Sequence, residues 1–486
     1  MAARTTTAPA ESPEQSYISP PLRAFIEAER RRSDVVGVGV AAFDADGLRY
    51  ASGFGYADLQ RGEAVTASTL FRAASITKLF TTALVLQELE AGRVGLDDPV
   101  SQHFHQAYWI RDRTGSPAPV TVRHLLSHTS GLPVSWRGLE SVNPLMRVVM
   151  NGAVLPHSLE GVVRGQRAVR APGKRIVYAN GGFNLLGLLV SMLNGRPYRD
   201  LLKERVLEPL AMRSSDVPVF PEGAGRATPY GGSMNSAGRK PAPAVRNYGA
   251  PAGALITSAE ELSRFGRMVL RGGELDGRRL LAADSLSQAT RMQARNHPEL
   301  DEGLGLGFWV STWRGRRIAH HDGGLPGVAT RIALAPDDRV GIVVLSNGGD
   351  AGFVHRVADR MLEDAIGLEP EPIPGSPSGV PAGSEKEWRA FTERVTGRYR
   401  LLDVFPPGLP TMLFSRVARP RLTRAGGDVL AVEGVTREPA FIYPDGPIGR
   451  YRAAYPLASG TRVVIEERKR GTHIWASILH LFKPRR

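Results

Sequence analysis

The sequence predicts an α+β fold: one antiparallel sheet flanked by helices, with a helical insertion, plus a small C-terminal all-β, barrel-like unit. Three observations carry this. β-type runs occur near both ends of the first 367 residues, and helical periodicity fills the stretch between them. After a Pro/Gly/Ser-rich break, only short β-like runs remain. Strands at both ends with helices between them assemble most simply into one sheet covered by helices.

The elements follow in order. Residues 1–18 are polar and rich in Thr, Ala, Ser and Pro, and read as disordered. Leu22, Phe25 and Ile26 open an amphipathic helix that ends near Arg32. VVGVGVAAF (35–43) is a β-type run, DADG (44–47) a turn, and LRYASGFGYAD (48–58) a returning strand. A helix begins at Ser75, with Leu79, Ala83, Leu86 and Leu89 at helical spacing. Helices and long loops alternate over 120–300. One helix runs from about Gly182 to Leu193, and another from Ala259 to Leu270 with Thr257 or Ser258 as N-cap. β character returns at 305–347 in two hairpins, turning at Arg314–Gly315 and across Pro336–Asp338. AGFVHRVADRMLEDAIG (351–367) is a closing helix. The divisions are therefore 1–18, a main domain over 19–367, a linker over 368–384, and a β-rich unit over 385–486.

Composition narrows the class. Of 486 residues, 42% are hydrophobic and 23% charged, as in soluble globular proteins. The chain has no cysteine, which excludes disulfides, cysteine-bound metals and a thiol nucleophile. The N-terminus lacks the apolar core of a secretory signal. The longest apolar stretch, Phe183 to Leu193, is far short of the ~20 residues of a membrane helix. A cytoplasmic protein without a membrane span is the expectation. The net charge of +14 is uneven: residues 386–486 carry 19 Lys and Arg against 9 Asp and Glu. With no nucleic-acid motif beside it, this excess reads as an arginine-rich solvated exterior, and no nucleic-acid partner is expected.

Three segments carry chemistry. FRAASITKLFTT places Ser75 and Lys78 three residues apart at a helix start, where both share one face. The amine can then reach the hydroxyl, and the helix N-terminus favours a developing alkoxide. KRIVYANGGFNLLG holds Tyr178 and Asn180 before an apolar helix. A cationic lysine nearby would favour the phenolate, which could act as a base. AHHDGGLPG holds His321, Gly323 and Gly324 before a strand. The glycines admit a ligand close to the backbone, whose N–H could hold an oxyanion.

In this order and spacing the three segments resemble the serine β-lactamase and penicillin-binding protein superfamily, in its class C-like esterase and D-aminopeptidase branch. HLLSHTSGLP (124–133), the stretch from Asn184 to Ser215 and PAGALITSAEELSRF (251–265) are similar to further family segments, so the resemblance covers roughly residues 20–365. It implies that Ser75 is the nucleophile and that Lys78 and Tyr178 activate it. It also implies that Asn180 and His321 orient the substrate, and that the N–H groups of Ser75 and Gly324 form the oxyanion hole. The C-terminal unit resembles small lipocalin-like barrels attached to some members.

The sequence departs from the family at two points. His321 stands where a lysine is usual, which shifts the expected substrate from carboxylates toward neutral esters or amides. No S-D-N element is found, so a deacylating glutamate has no support. The expected activity is serine hydrolysis of a small ester, amide or peptide, with no cofactor. A D-amino-acid peptidase, a weak β-lactamase and an acyltransferase use the same residues and stay open, as do an inactive scaffold and a homo-oligomer. His124 and His128, four apart, lack a third ligand, so no metal is expected. Trp309 and Trp313 flank the route to His321 and read mainly as core.

Overall fold

Side-chain alternation along the strands decides the architecture. The computed structural model describes residues 18–133, 139–141, 158–219, 223, 225–231, 240–242, 245–370, 385–402, 420–426, 429–433, 440–444, 447–453, 462–469, 471–476 and 479–484. The main sheet has eight strands: β1 (Gly37–Asp44), β2 (Leu48–Asp58), β3 (Glu63–Ala64), β4 (Glu302–Leu304), β5 (Trp309–Trp313), β6 (Arg316–Leu325), β7 (Val328–Ala335) and β8 (Val340–Ser346). Their order is β4-β5-β6-β7-β8-β1-β2-β3, and every pairing is antiparallel. The two ends of the segment meet where β1 pairs with β8, Val40 opposite Val344.

Successive residues of a strand point to opposite faces. Ala41, Phe43, Ile332 and Leu334 face one core, which also holds side chains of α2 (Thr77–Glu90), α3 (Asn180–Asn194) and α4 (Ala259–Leu270). Val40, Ala42, Ala333 and Ile342 face a second core, shared with α1 (Pro20–Arg32) and α5 (Ala351–Ile366). Burial on both faces explains why these strands read as unbroken apolar runs. Ser258 caps α4 by accepting from Glu261 N–H, Asp350 caps α5 in the same way, and left-handed Gly367 ends α5. The hairpin turns and the helices α1, α4 and α5 thus fall where the sequence pattern puts them, with α1 and α5 joined by a buried ion pair. Arg356 donates to Glu29 at 2.7 Å and to Ser33 at 2.7 Å, and both charged residues are buried.

A second sheet of nine strands lies between Gly397 and Pro484. Its first and last members, Gly397–Arg398 and Arg400–Leu402, are consecutive pieces of one segment flanking Tyr399. One pairs with Arg421–Gly426 and the other with Leu479–Pro484, which gives a barrel-like curl without a closing ladder. The unit is not purely β. Helix α6 (Glu385–Val395) precedes the sheet and buries Trp388 edge-on against Tyr451, 5.4 Å between rings. The expected disordered start and the linker lie outside the described residues, apart from Ile18 and residues 368–370 at their edges.

The second sheet docks on the loop before β4. Arg450 binds Glu299 through both guanidinium nitrogens, His297 Nε2 lies 3.1 Å from Glu466, and Leu300, Val464 and Trp475 form a small buried cluster. Among the described residues, no helix is long and apolar enough to cross a membrane.

Cutting the Glu29–Arg356 pair tests the α1–α5 joint. Arg356→Met leaves a buried carboxylate with Arg32 as its remaining cation. The expected loss is about 2–3 kcal/mol in denaturant unfolding, below the ~3–5 of an unassisted buried pair because Arg32 stays.

Candidate active site

The chain bends sharply just before the candidate nucleophile. Ser75 lies in a single 3-10 turn, Ala74–Ile76, and α2 begins only at Thr77, two residues later than the periodicity suggested. Ala74 takes a left-handed conformation, φ 50°, which costs a non-glycine residue roughly 1–2 kcal/mol. Tertiary hydrogen bonds hold the bend. Thr77 Oγ1 donates to Ala74 O at 2.6 Å and accepts from Leu255 N at 2.9 Å, while Thr330 Oγ1 donates to Ala73 O at 3.0 Å.

Lys78 is fully buried one turn further on. Its Nζ lies 3.1 Å from Ser75 Oγ, 2.8 Å from Asn180 Oδ1 and 2.6 Å from Ala252 O. Burial holds the amine well below the usual lysine range. A neutral amine has two hydrogens and one lone pair. The amide and carbonyl oxygens can only accept, so they take both hydrogens. Once the amine has lost its proton, its lone pair is left facing Ser75 Oγ.

Tyr178 is hydrogen-bonded to Ser75, and Lys78 Nζ lies 4.8 Å from the centre of its ring. The expected cation-assisted phenolate is not what this site favours. Burial, reinforced by Asp322, pushes the Tyr178 hydroxyl up, and burial pushes Lys78 down, so loss of hydration works against the charged form of both groups.

Strand β6 supplies the third segment. His321 is pushed down to about 4 by burial and by Lys78, and is therefore neutral near pH 7. Its Nδ1 donates to Asp322 O at 2.8 Å, while Nε2 is buried with no partner among the described residues. Asp322 points to the opposite face, where it binds Arg331 at 2.7 Å and His355 at 3.2 Å. The two glycines differ in purpose. A Cβ on Gly323 would lie 2.1 Å from Thr330 Oγ1 and 2.3 Å from Ala73 O, so Gly323 lets β6 pack against the Ser75 bend. A Cβ on Gly324 would meet nothing within 4 Å, and Gly324 borders the cavity beside Ser75.

The structure thus brings Ser75, Lys78, Tyr178, Asn180, His321, Gly323 and Gly324 together. It adds groups that sequence reasoning missed. The carbonyl of Ala252 reaches Lys78 because Gly187 lets α3 approach Pro251: a Cβ there would lie 2.1 Å from the proline ring. His128 stacks on Tyr178 with 4.3 Å between rings, and its Nδ1 accepts from Ala179 N–H at 3.0 Å. Its signal was the HTSGLP segment, read only as a loop. Asn184 and Asn247 line the cavity and carried no signal. Trp309 is core, as expected, in a small cluster against which Tyr178 packs.

Comparison with known proteins agrees with this arrangement. A family model described as Beta-lactamase matches residues 22–365. Penicillin-binding protein 4 of Amycolatopsis lactamdurans is 29% identical over 379 residues, 72% of this chain and 94% of that protein. The structure of an octameric penicillin-binding protein homologue from Pyrococcus abyssi aligns with a TM-score of 0.61 at 20% identity. It covers 95% of this chain and 99% of its own, which shows a shared fold. A D-stereospecific amidohydrolase from Streptomyces sp. aligns at 0.57 with 26% identity, over 69% of this chain and 97% of its own.

The two glycines make a paired test. Gly324→Ala should melt like wild type. Gly323→Ala forces β6 away from the Ser75 bend and should lower both melting temperature and turnover, the latter by about 100-fold, since small misplacements in a site cost that much. Equal melting of the two variants would remove the packing role given to Gly323.

Proposed function

The chain belongs to the beta-lactamase family, and from that premise we propose that it cleaves an uncharged ester or amide through an acyl-enzyme on Ser75. One observation supports this above the rest: Lys78 Nζ lies 3.1 Å from Ser75 Oγ, with two further acceptors placed so that the deprotonated amine would turn its lone pair to the serine.

The steps begin from the deprotonated form of Lys78. Lys78 takes the Ser75 proton as Oγ bonds to the substrate carbonyl carbon, and the N–H groups of Ser75 and Gly324 receive the oxyanion. Collapse breaks the bond to the leaving group. Tyr178 gives that group its proton and regains one from the Lys78 ammonium. Water then repeats the sequence on the acyl-enzyme, Lys78 taking its proton and Ser75 leaving as the alcohol. Asn180 keeps the amine oriented. An alcohol or amine acceptor could replace water at the same step, which is the acyltransferase alternative.

Neutral substrates are favoured because no charged side chain borders the cavity among the described residues, and His321 adds no cation near pH 7. The C-terminal unit, residues 385–486, acts in this reading as a brace. Arg175 lies 4.6 Å from the centre of the Trp475 ring, and its neighbour Ile176 is held through its N–H and C=O by Asn296. Both sit just before Tyr178.

Fluorophosphonate should label wild type and leave Ser75→Ala unmodified, and equal labelling of both ends the assignment. The value of kcat/KM should rise with pH as Lys78 loses its proton, with the limb below the ordinary lysine value of 10.5. Lys78→Arg, which stays protonated, should lose at least ~100-fold at every pH. Trp475→Ala should lower kcat several-fold with little change in KM, and Trp475→Phe should restore most of it. A change confined to KM would point to substrate access instead.

A further inference from the structure

Two asparagines beside Ser75 are left with unmet hydrogen bonds. Asn184 belongs to α3 and is 1% exposed, and Asn247, which lines the same cavity, is 6% exposed. Oδ1 of Asn184 has no donor and Nδ2 of Asn247 has no acceptor among the described residues. Buried side-chain amides are nearly always satisfied, and each unmet one costs about the desolvation of that group. The pair therefore points to something outside the chain.

The cavity they border is small, about 30 Å³, and Ser75, Asn180 and Gly324 also line it. It has room for a few heavy atoms next to the reacting serine. Its other contributions are glycines, alanines and Leu325, with no carboxylate, ammonium or guanidinium. The chemistry is specific: one acceptor, one donor, no net charge. A carboxylate could use the Asn247 donor but would set its charge against Asn184 Oδ1. An ammonium would meet the reverse conflict. An alkyl group would leave both amides unmet.

We propose that Asn184 and Asn247 form a subsite for a small uncharged group that both donates and accepts, a primary carboxamide or hydroxyl, carried within a few bonds of the scissile carbonyl. This deepens, and rests on, the acyl-enzyme reading. The carboxamide N–H would go to Asn184 Oδ1 and its oxygen to Asn247 Nδ2. A site built to hydrogen-bond a substrate group discriminates strongly against the analogue that lacks it, because its own polar groups are then stranded.

The test compares methyl succinamate, methyl pentanoate and monomethyl succinate, with acid release followed at constant pH. The first two differ in a terminal amide against an alkyl group, and the third brings a carboxylate. Each is also run as a competitor of p-nitrophenyl acetate hydrolysis, so that slow turnover still gives an affinity. Wild type should favour the succinamate over both others by at least tenfold in kcat/KM or in inhibition constant. In Asn247→Leu and Asn184→Leu that preference should fall toward one. A wild-type preference of one or less means the amides hold only water, and the proposal is overturned even if neither variant folds. A preference that survives in a folded variant overturns it as well. Failure of the underlying reading looks different: wild type would neither hydrolyse p-nitrophenyl acetate nor take the fluorophosphonate label.

Discussion

A lysine amine stripped of its water inside the protein is the constraint on which the remaining site depends. Lysine is almost never fully buried without a reason, because its charged form loses its hydration there. Here the interior works against that charge and holds the amine where its deprotonated form can act. Asn180 comes from the start of α3 and Ala252 from the turn before α4, and each fixes one hydrogen of Lys78. The Ser75 bend, the β6 glycine and the close approach of α3 to Pro251 all bring a partner to this one nitrogen. The same loss of hydration keeps Tyr178 protonated and His321 uncharged near pH 7.

Much of this was legible in the chain. The strands were, because burial on both faces leaves continuous apolar runs. Helix α4 was legible to the residue, because Ser258 marks its start. Ser75, Lys78, Tyr178 and His321 stood out because they lie in short local patterns. Helix α2 was placed early because a 3-10 turn and an α-helix share the same spacing over three residues. Helix α6 was hidden among β-like runs, since its apolar residues, Trp388, Phe391 and Val395, are few and widely spaced. Ala252 could not be seen at all, for a carbonyl oxygen carries no residue identity. The direction of the Tyr178 shift was misjudged for a related reason: a motif shows which charges are near and not how much water has been lost.

The C-terminal sheet is tied to the main body by polar contacts and by the buried Trp475. The Arg450–Glu299 pair is partly exposed, where such pairs contribute ~0–1 kcal/mol. The Leu300, Val464 and Trp475 cluster excludes water and so contributes the more durable part of the joint. Arg175, which lies over the Trp475 ring, stands three residues before Tyr178, so this distant unit touches the segment that leads into the phenol.

The partnership of β1 with β8 has a consequence for biogenesis. The strand that opens the main sheet finds one neighbour at once in β2, but the other is made some three hundred residues later. Contacts so far apart in the chain close slowly. During synthesis, one edge of the β1–β2 hairpin must wait, unpaired and apolar, until the ribosome has passed residue 346. Such an edge is a template for the wrong partner. Expression of this protein should accordingly be governed less by its final stability than by how well that early hairpin is shielded while the rest of the chain emerges.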